Sequence, residues 1–308
     1  MIGITGATGF IGRRLVERLV RRGYPVRVLV RPASLERLPR VPLDKVLGTL
    51  EDGEAVARFA RGCGAVVHCA GLVKALSRDA FFRVNVEGTR RLLESLAPET
   101  RLVHLSSLAA REPTLSPYAA SKRAGEEAVL SWRGSKLVLR PPAVYGPGDR
   151  ALRPLLEALR YGVLFQIGPR EARFSLLHVD DLVAAIEGAI ERPEVEGRFD
   201  LSDGEVYSWR RVAEIGERFF RRPVRTVPIP RPLLLGVAGI SLALGRLLGR
   251  PPMLTPAKVR ELRHTDWVCQ NNSVWSMLDR KPQVGLFEGL ATLFARRSWP
   301  TIRTSSNR

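Results

Sequence analysis

The sequence predicts an α/β fold, a doubly wound parallel sheet followed by a smaller, mostly helical C-terminal lobe. Short apolar runs alternate with amphipathic stretches through the first half of the chain, as in a parallel sheet covered by helices on both faces. A glycine-rich loop follows the first apolar run, and clusters of Pro interrupt the alternation in the second half. We therefore place a sheet domain at 1–146 and a lobe at 147–308, with residues 174–202 returning to the sheet domain.

The predicted elements follow one another along the chain. Residues 2–5 form a short buried strand, and residues 11–20 have the apolar spacing of an amphipathic helix. Further strands are predicted at 26–30, 65–69, 101–105, 136–139 and 174–179. Asp180 is expected to cap the helix that follows the last of these strands. The polar tail from Ser298 onwards is expected to fray.

The composition argues against several classes of protein. Three Cys residues without a Cys-x-x-Cys pair indicate neither a disulfide framework nor a metal site, and they favour a cytoplasmic location. The longest apolar run, residues 233–245, is too short to span a bilayer. The net charge of +18 raises the question of nucleic acid. Since Arg is spread along the whole chain and no nucleic-acid motif is present, we predict no specific nucleic-acid partner.

Three glycines, Gly6, Gly9 and Gly12, lie between the first strand and the first helix. Glycine here lets the backbone turn sharply and approach a pyrophosphate, while the helix N-terminus presents free N–H groups to the phosphates. The strand, loop and helix therefore predict a Rossmann-type dinucleotide site. The cofactor contacts predicted in this loop are Gly6, Thr8, Gly9, Phe10, Ile11 and Gly12.

The end of the second strand indicates which dinucleotide is bound. Sites that prefer NAD place an acidic residue there to accept a hydrogen bond from the ribose 2′-hydroxyl. This chain has Arg31 instead, between Val30 and Pro32. We therefore predict NADP, with Arg31 pairing with the 2′-phosphate, and keep NAD as the alternative.

Tyr118 and Lys122 are four residues apart, one turn on the same face of a helix. A Tyr with an ordinary pKa of about 10 needs a nearby cation to exchange protons at neutral pH. The chain holds 49 Lys and Arg, of which only six are Lys, so a Lys at this position fits a role that a guanidinium would not serve. Ser106 and Ser107 follow the strand at 101–105, and either hydroxyl is placed to polarise a substrate carbonyl.

In this order, the motifs resemble the extended branch of the short-chain dehydrogenase/reductase family, whose members include NAD-dependent epimerases and dehydratases. The resemblance is carried by the segments 5–12, 67–71, 84–89, 106–107, 118–122, 139–148 and 178–182. In pattern the chain is most similar to dihydroflavonol reductase-like and 3-beta-hydroxysteroid dehydrogenase-like members. One departure is Thr49, where the family usually has an Asp that contacts adenine.

The resemblance implies roles for single residues. Tyr118 is the acid/base, Lys122 is its partner and a cofactor contact, and Ser107 is the acting serine. Asn85 matches the Asn that the family keeps on a central helix, and the resemblance places it with Ser107, Tyr118 and Lys122 among the catalytic residues. Four further cofactor contacts are implied, namely Ala70, Gly71, Pro141 and Val144. In the family, the segment around His178 has a structural role, so no metal site is predicted.

The function that the resemblance implies is hydride transfer between NADP(H) and a ketone or secondary alcohol on a hydrophobic small molecule. Two alternatives stay open. One is an NDP-sugar epimerase or dehydratase with a tightly bound dinucleotide, although such enzymes favour NAD. The other is a non-catalytic, cofactor-binding accessory protein whose charge and apolar segment 233–248 contact a membrane surface. As in many family members, pairing of helices at 78–96 and 118–130 predicts a homodimer.

Overall fold

The fold class predicted from the sequence is confirmed by the structure, a computed structural model that describes residues 1–294. The strands are β1 (Ile2–Thr5), β2 (Val26–Val30), β3 (Asp44–Leu47), β4 (Ala65–His68), β5 (Arg101–Leu105), β6 (Lys136–Arg140), β7 (Ala143–Tyr145), β8 (Val163–Gln166), β9 (Arg173–Phe174), β10 (Leu176–His178), β11 (Gly197–Asp200), β12 (Tyr207–Ser208), β13 (Arg225–Pro228) and β14 (Asp266–Trp267). The helices are α1 (Phe10–Arg21), α2 (Gly53–Ala60), α3 (Arg78–Phe82), α4 (Gly88–Ser95), α5 (Pro117–Ser131), α6 (Arg153–Ala158), α7 (Val179–Glu191), α8 (Trp209–Phe220), α9 (Arg231–Leu247), α10 (Pro256–Leu262), α11 (Val274–Met277) and α12 (Leu286–Phe294).

The central sheet has seven parallel strands in the order β11-β6-β5-β4-β1-β2-β3. The strand order reverses between β1 and β4, which is where doubly wound sheets bind their ligands. β11 joins this sheet beside β6, although it follows the start of the lobe in the sequence. The boundaries of the two domains, like the homodimer, stay predictions.

The apolar runs of the strands are buried on both faces of the sheet, which explains why they lack a polar alternation. On one face, α1 and α7 pack over β1, with Leu15 and Ile186 fully buried. On the other face, α2, α4 and α5 pack over β4 and β5, with Phe59 and Leu92 at the centre. The sheet edge that carries the ends of β1, β4, β5 and β6 is thereby fixed from both sides.

The segment 174–179 differs from its prediction. It holds two short strands rather than one, since β9 pairs with β12 and β14 whereas β10 pairs with β7. The chain breaks between them at Ser175, whose hydroxyl accepts a hydrogen bond from the backbone of Cys269.

The prediction that Asp180 caps the next helix is wrong. α7 begins at Val179, and the side chain of His178 accepts the hydrogen bond from the Asp180 N–H. The Asp180 carboxylate lies in the first turn and instead pairs with Arg14 of α1 at 2.5 Å. A carboxylate in the first turn is favoured by the helix dipole, and here it also ties the two helices together.

The lobe contains two smaller apolar clusters. The larger one gathers side chains of α6, α8 and α12 around Tyr145 and Leu159. The smaller one lies between α9 and α10, around Leu234, Ala238 and Val259. Within residues 1–294, no helix combines the length and the hydropathy needed to cross a membrane. The predicted fraying of the tail from Ser298 lies outside the described residues.

Candidate active site

The glycine loop has a shape that only glycine permits at two of its positions. Gly6 adopts a φ of +75°, and a Cβ on it would lie 2.7 Å from the backbone nitrogen of Ala70. A Cβ on Gly12 would lie 2.2 Å from the carbonyl oxygen of Gly6. Since any larger side chain would collide with backbone, the loop is held tightly against both the helix and the β4 loop.

Helix α1 begins directly after this loop. Its N-cap is Gly9, which has no side chain to satisfy the first-turn N–H groups. Such uncapped N–H groups at a helix N-terminus suit the phosphates of a dinucleotide. Gly9 is exposed and Thr8 half-buried, whereas Ile11 packs on the core below the sheet. Phe10 lies across the loop from Gly148, where a Cβ would come within 3.5 Å of its ring.

The other predicted cofactor contacts lie at the same edge of the sheet. Ala70 and Gly71 follow β4, and the Ala70 N–H donates to the Thr5 hydroxyl at 3.2 Å. Pro141, which is buried, follows β6, and half-buried Val144 lies on β7. The ends of neighbouring parallel strands therefore bring these residues beside the glycine loop.

Arg31 follows β2, the strand next to β1, so it lies at the same edge. It is exposed, and its side chain forms no ion pair with any residue in the described part of the chain. Thr49 is the departure from the family pattern. Its hydroxyl accepts a hydrogen bond from the Glu51 N–H within a local turn. The structure thus offers a cation, and no carboxylate, at the end of β2.

Tyr118 and Lys122 lie in the first two turns of α5. Ser116 caps this helix and Pro117 opens it. Lys122 is 6% exposed, and its ammonium donates to the Leu105 carbonyl oxygen at 2.7 Å. Burial lowers the pKa of Lys122 to about 8, while the carboxylate of Glu126 acts in the opposite direction.

The hydroxyls of Ser107 and Tyr118 are brought together. Burial raises the pKa of Tyr118 to about 12, and hydrogen bonding to Ser107 opposes that rise. Ser107 also caps the turn after β5, where its oxygen accepts from the Ala109 N–H at 3.2 Å. The neighbouring Ser106 is held elsewhere, since its hydroxyl donates to the buried carboxylate of Glu126. Of the two serines, the structure therefore places Ser107 at the site.

Asn85 lies in a π-helical segment, Arg83–Glu87, that interrupts the helix formed by α3 and α4. Its side-chain amide donates to the Leu72 carbonyl and to the Ser121 hydroxyl, and its oxygen accepts from the Leu72 N–H at 2.7 Å. These bonds use both N–H donors and one of the two acceptor positions of the amide, so the Asn85 side chain is fixed in place. It holds the loop after Gly71 against α5, where a Cβ on Gly71 would lie 3.2 Å from the Asn85 oxygen. Such π-bulges are frequent at functional sites.

Glu126 is a residue of the candidate site that the sequence motifs did not predict. Its fully buried carboxylate receives two bonds from the Arg140 guanidinium, at 2.7 and 2.6 Å, and one from Ser106. It thereby ties α5 to β6, the strand that leads into Pro141. The signal was present, because Tyr118, Lys122 and Glu126 recur every four residues on one helix face.

Lys258 and Glu261, both on α10 of the lobe, were also missed. The Lys258 ammonium lies 5.6 Å from the centre of the Tyr118 ring and pairs with the Glu261 carboxylate at 2.5 Å. Glu261 is buried and accepts a hydrogen bond from the Ser116 hydroxyl at the cap of α5. The lobe therefore lies against the start of α5, through a hydrogen bond between residues that are 145 positions apart. Lys is scarce in this chain, and that scarcity is the signal in the sequence that could have singled out Lys258.

Two buried histidines lie beneath the site, on β4 and β5. His68 bridges the hydroxyls of Thr5 and Thr89, at 2.7 and 2.9 Å. Burial lowers its pKa to about 3, so it stays neutral at physiological pH. The neighbouring His104 is also buried, with a pKa held well below its ordinary value by burial and by Lys122. Among residues 1–294, no group of three or more His, Cys, Asp or Glu side chains is arranged to hold a metal ion.

Comparison with known proteins agrees with the family resemblance of the motifs. A model of the NAD dependent epimerase/dehydratase family matches residues 2–202. The chain is 38% identical to "Ceramide reductase" of Caulobacter vibrioides (strain NA1000 / CB15N), over 87% of this chain and 85% of the relative. It is 32% identical to "4-hydroxy-2-methyl-3-oxo-4-farnesyl-3,4-dihydroquinoline-1-oxide ketoreductase" of Stigmatella aurantiaca, over 65% and 67% of the two chains.

A solved structure shares the fold. "MoeE5 in complex with UDP-glucose and NAD" superposes with a TM-score of 0.70 at 24% identity, covering 94% of this chain and 96% of that one.

Proposed function

We propose, from the premise that this chain belongs to the NAD dependent epimerase/dehydratase family and is an oxidoreductase of the extended short-chain dehydrogenase/reductase type, that it reduces a ketone on an apolar molecule with NADPH. The observation that carries the proposal is that Ser107 hydrogen-bonds to Tyr118 while buried Lys122, one turn further along α5, is fixed on the Leu105 carbonyl at the end of β5.

The side chains divide the chemistry at the carbonyl. Ser107 accepts from the Ala109 N–H, and its own O–H, which hydrogen-bonds to Tyr118 in this structure, would turn to donate to the carbonyl oxygen of a bound substrate. Tyr118 donates the proton that turns that oxygen into a hydroxyl. Lys122, fixed on the Leu105 carbonyl, keeps a positive charge near the phenolate that forms. When bound, the nicotinamide supplies the hydride.

The cofactor preference rests on Arg31. An exposed guanidinium without an ion-pair partner in residues 1–294 matches a 2′-phosphate, whereas the NAD ribose would lack its usual acceptor. Replacing Arg31 by Asp is expected to raise the KM for NADPH about 10- to 100-fold, because a charge-assisted bond contributes about 1.5–3 kcal/mol. The KM for NADH should fall. Arg61→Asp, an exposed Arg after α2, controls for the change in charge. A wild-type enzyme with the lower KM for NADH would contradict the assignment.

An apolar substrate is supported by the lobe. A groove of about 340 Å³ runs between α9 and α10 and reaches Leu115, three residues before Tyr118. Leu235, Val259 and Pro169 form an apolar side along which an apolar chain can lie, and the rest of the lining is Arg231, Arg260, Arg263 and His264. The names of the two relatives, one with ceramide and one with a farnesyl group, also denote apolar molecules.

The test is a panel of ketones offered with NADPH. Long-chain N-acyl 3-ketones represent the proposed class, short polar ketones are the contrast, and UDP-glucose represents the epimerase alternative. Loss of NADPH fluorescence with the long-chain ketones, and none with UDP-glucose, is expected. Conversion of UDP-glucose without net loss of NADPH would replace the proposal by the epimerase.

A further inference from the structure

Helix α9 of the lobe exposes most of its apolar side chains. It is 17 residues long, and only Leu234, Ala238 and Gly245 are buried. Ile240 is 65% exposed and Leu247 is 81% exposed. The large apolar side chains that are exposed on α9 and directly after it are Leu233, Val237, Ile240, Leu244, Leu247 and Leu248.

These residues form one continuous face. At about 100° per residue, the exposed residues from Gly239 round to Leu248 cover roughly half of the helix circumference. Every residue in that half is Leu, Ile, Val, Ala, Gly or Pro. Surface helices usually place such a face on the core. Here the opposite, narrower stripe contacts the protein, through Val259 of α10.

The segment of chain that contains this face carries positive charge only. Residues 218–260 contain nine Arg or Lys and neither Asp nor Glu, which is half of the net charge of +18. Eight of the nine are exposed Arg, and none of these eight forms a salt bridge within residues 1–294. They are Arg218, Arg221, Arg222, Arg225, Arg231, Arg246, Arg250 and Arg260.

Width and charge decide between two occupants. A second copy of the chain would bring two unpaired basic clusters together, and a seam between paired helices needs a narrower stripe than this one. An anionic bilayer instead matches both features. Its apolar interior can take half of the helix, and its phosphate groups can pair with the arginines of residues 218–260. A helix about 25 Å long can lie flat in that interface. We propose that α9 docks the protein on an anionic lipid surface, independently of the reaction at Tyr118.

Vesicle flotation tests this docking surface. Vesicles of phosphatidylcholine with phosphatidylglycerol are compared with vesicles of phosphatidylcholine alone. The wild type should float with the anionic vesicles, bind the neutral ones at least tenfold more weakly, and dissociate as salt is raised. The double variants Ile240→Asp/Leu247→Asp and Arg246→Glu/Arg250→Glu should each weaken binding at least tenfold.

The controls separate docking from folding and from self-association. Val206→Asp/Met277→Asp adds the same two charges as Ile240→Asp/Leu247→Asp, at exposed apolar residues outside α9, and should bind as the wild type does. Since the substituted side chains are exposed, each variant should keep the wild-type thermal unfolding midpoint and NADPH affinity. Equal binding by wild type and Ile240→Asp/Leu247→Asp would overturn the proposal. So would a dimer, measured by light scattering without lipid, that these two substitutions dissociate.

Discussion

Helices α5 and α9 are similar in length, yet they reverse the usual rule of burial. α5 buries Ser121, Lys122 and Glu126, whereas α9 exposes Ile240 and Leu247. In α5 each buried polar group meets a partner: the Leu105 carbonyl holds Lys122, and Arg140 holds Glu126. In α9, no residue of the described chain covers the exposed apolar side chains in a comparable way. The buried charges of α5 fit the proposed chemistry inside the protein. The exposed apolar face of α9 fits the proposed contact with a lipid surface outside it.

The largest effect is expected at Tyr118. Tyr118→Phe removes the proton donor and keeps the ring that packs on Phe81, so ketone reduction should lose about 10²- to 10⁴-fold in kcat/KM. NADPH affinity should stay within twofold. Tyr161→Phe changes a Tyr that is 72% exposed and should leave kcat/KM unchanged. Full activity in Tyr118→Phe would remove α5 from the chemistry.

The next effect concerns stability. Glu126→Gln breaks the buried pair with Arg140 and leaves a charge unmatched, so the free energy of unfolding should fall by about 3–5 kcal/mol. The adjacent Glu127 forms an exposed pair with Arg123 one turn away, and Glu127→Gln should cost at most about 0.5 kcal/mol. Urea unfolding of both variants measures the difference. Equal losses would mean that burial does not distinguish the two faces of α5.

A smaller effect is expected from pH. The reaction needs Lys122 as an ammonium and Tyr118 as a phenol, with pKa values of about 8 and about 12. Raising the pH through 8 discharges Lys122 first, so kcat/KM for reduction should be level below about pH 8 and fall about tenfold per unit above it. Lys122→Arg should be less active at every pH, because a guanidinium does not replace the ammonium fully, but its remaining activity should fall only at higher pH because the guanidinium keeps its charge. A level profile up to pH 10 would argue against the role of Lys122.

The smallest effect is expected from α9 in the absence of lipid. Ile240→Asp/Leu247→Asp should change kcat/KM for a short, water-soluble ketone by less than twofold, because both side chains point into solvent. A large loss with this ketone would mean that α9 belongs to the active site, and the contrast with α5 would be lost.

The sequence predicted the sheet far better than it predicted the lobe. The strands at 2–5, 26–30 and 101–105 are found at their predicted bounds, because strands buried on both faces appear as unbroken apolar runs. The edge strand β3 was missed because its residues, Asp44 to Leu47, are largely exposed and carry no such run. Asp180 was misplaced since the neighbouring His178 side chain takes the capping bond.

The site was predicted where its residues are close in sequence. Tyr118 and Lys122 form a local motif, and in the structure Tyr118 hydrogen-bonds to Ser107 while Lys122 donates to the Leu105 carbonyl. The pairing of Glu126 with Arg140 and the approach of Lys258 to Tyr118 depend on how separate elements pack, which periodicity does not encode. The exposure of α9 is a fact of the same kind, because an apolar stripe appears identical in sequence whether it meets the core or solvent.

The family assignment made from the motifs is confirmed by the match over residues 2–202, whereas the substrate and the preference for NADPH stay proposals. Their central claim is hydride transfer to a ketone, and transfer of deuterium tests it most directly. Wild-type protein is incubated with NADPH deuterated at the transferred position and a long-chain ketone, and the product is analysed by mass spectrometry. We expect one deuterium on the new carbinol carbon for each NADPH consumed. A product without deuterium, or turnover without consumption of NADPH, would contradict the account.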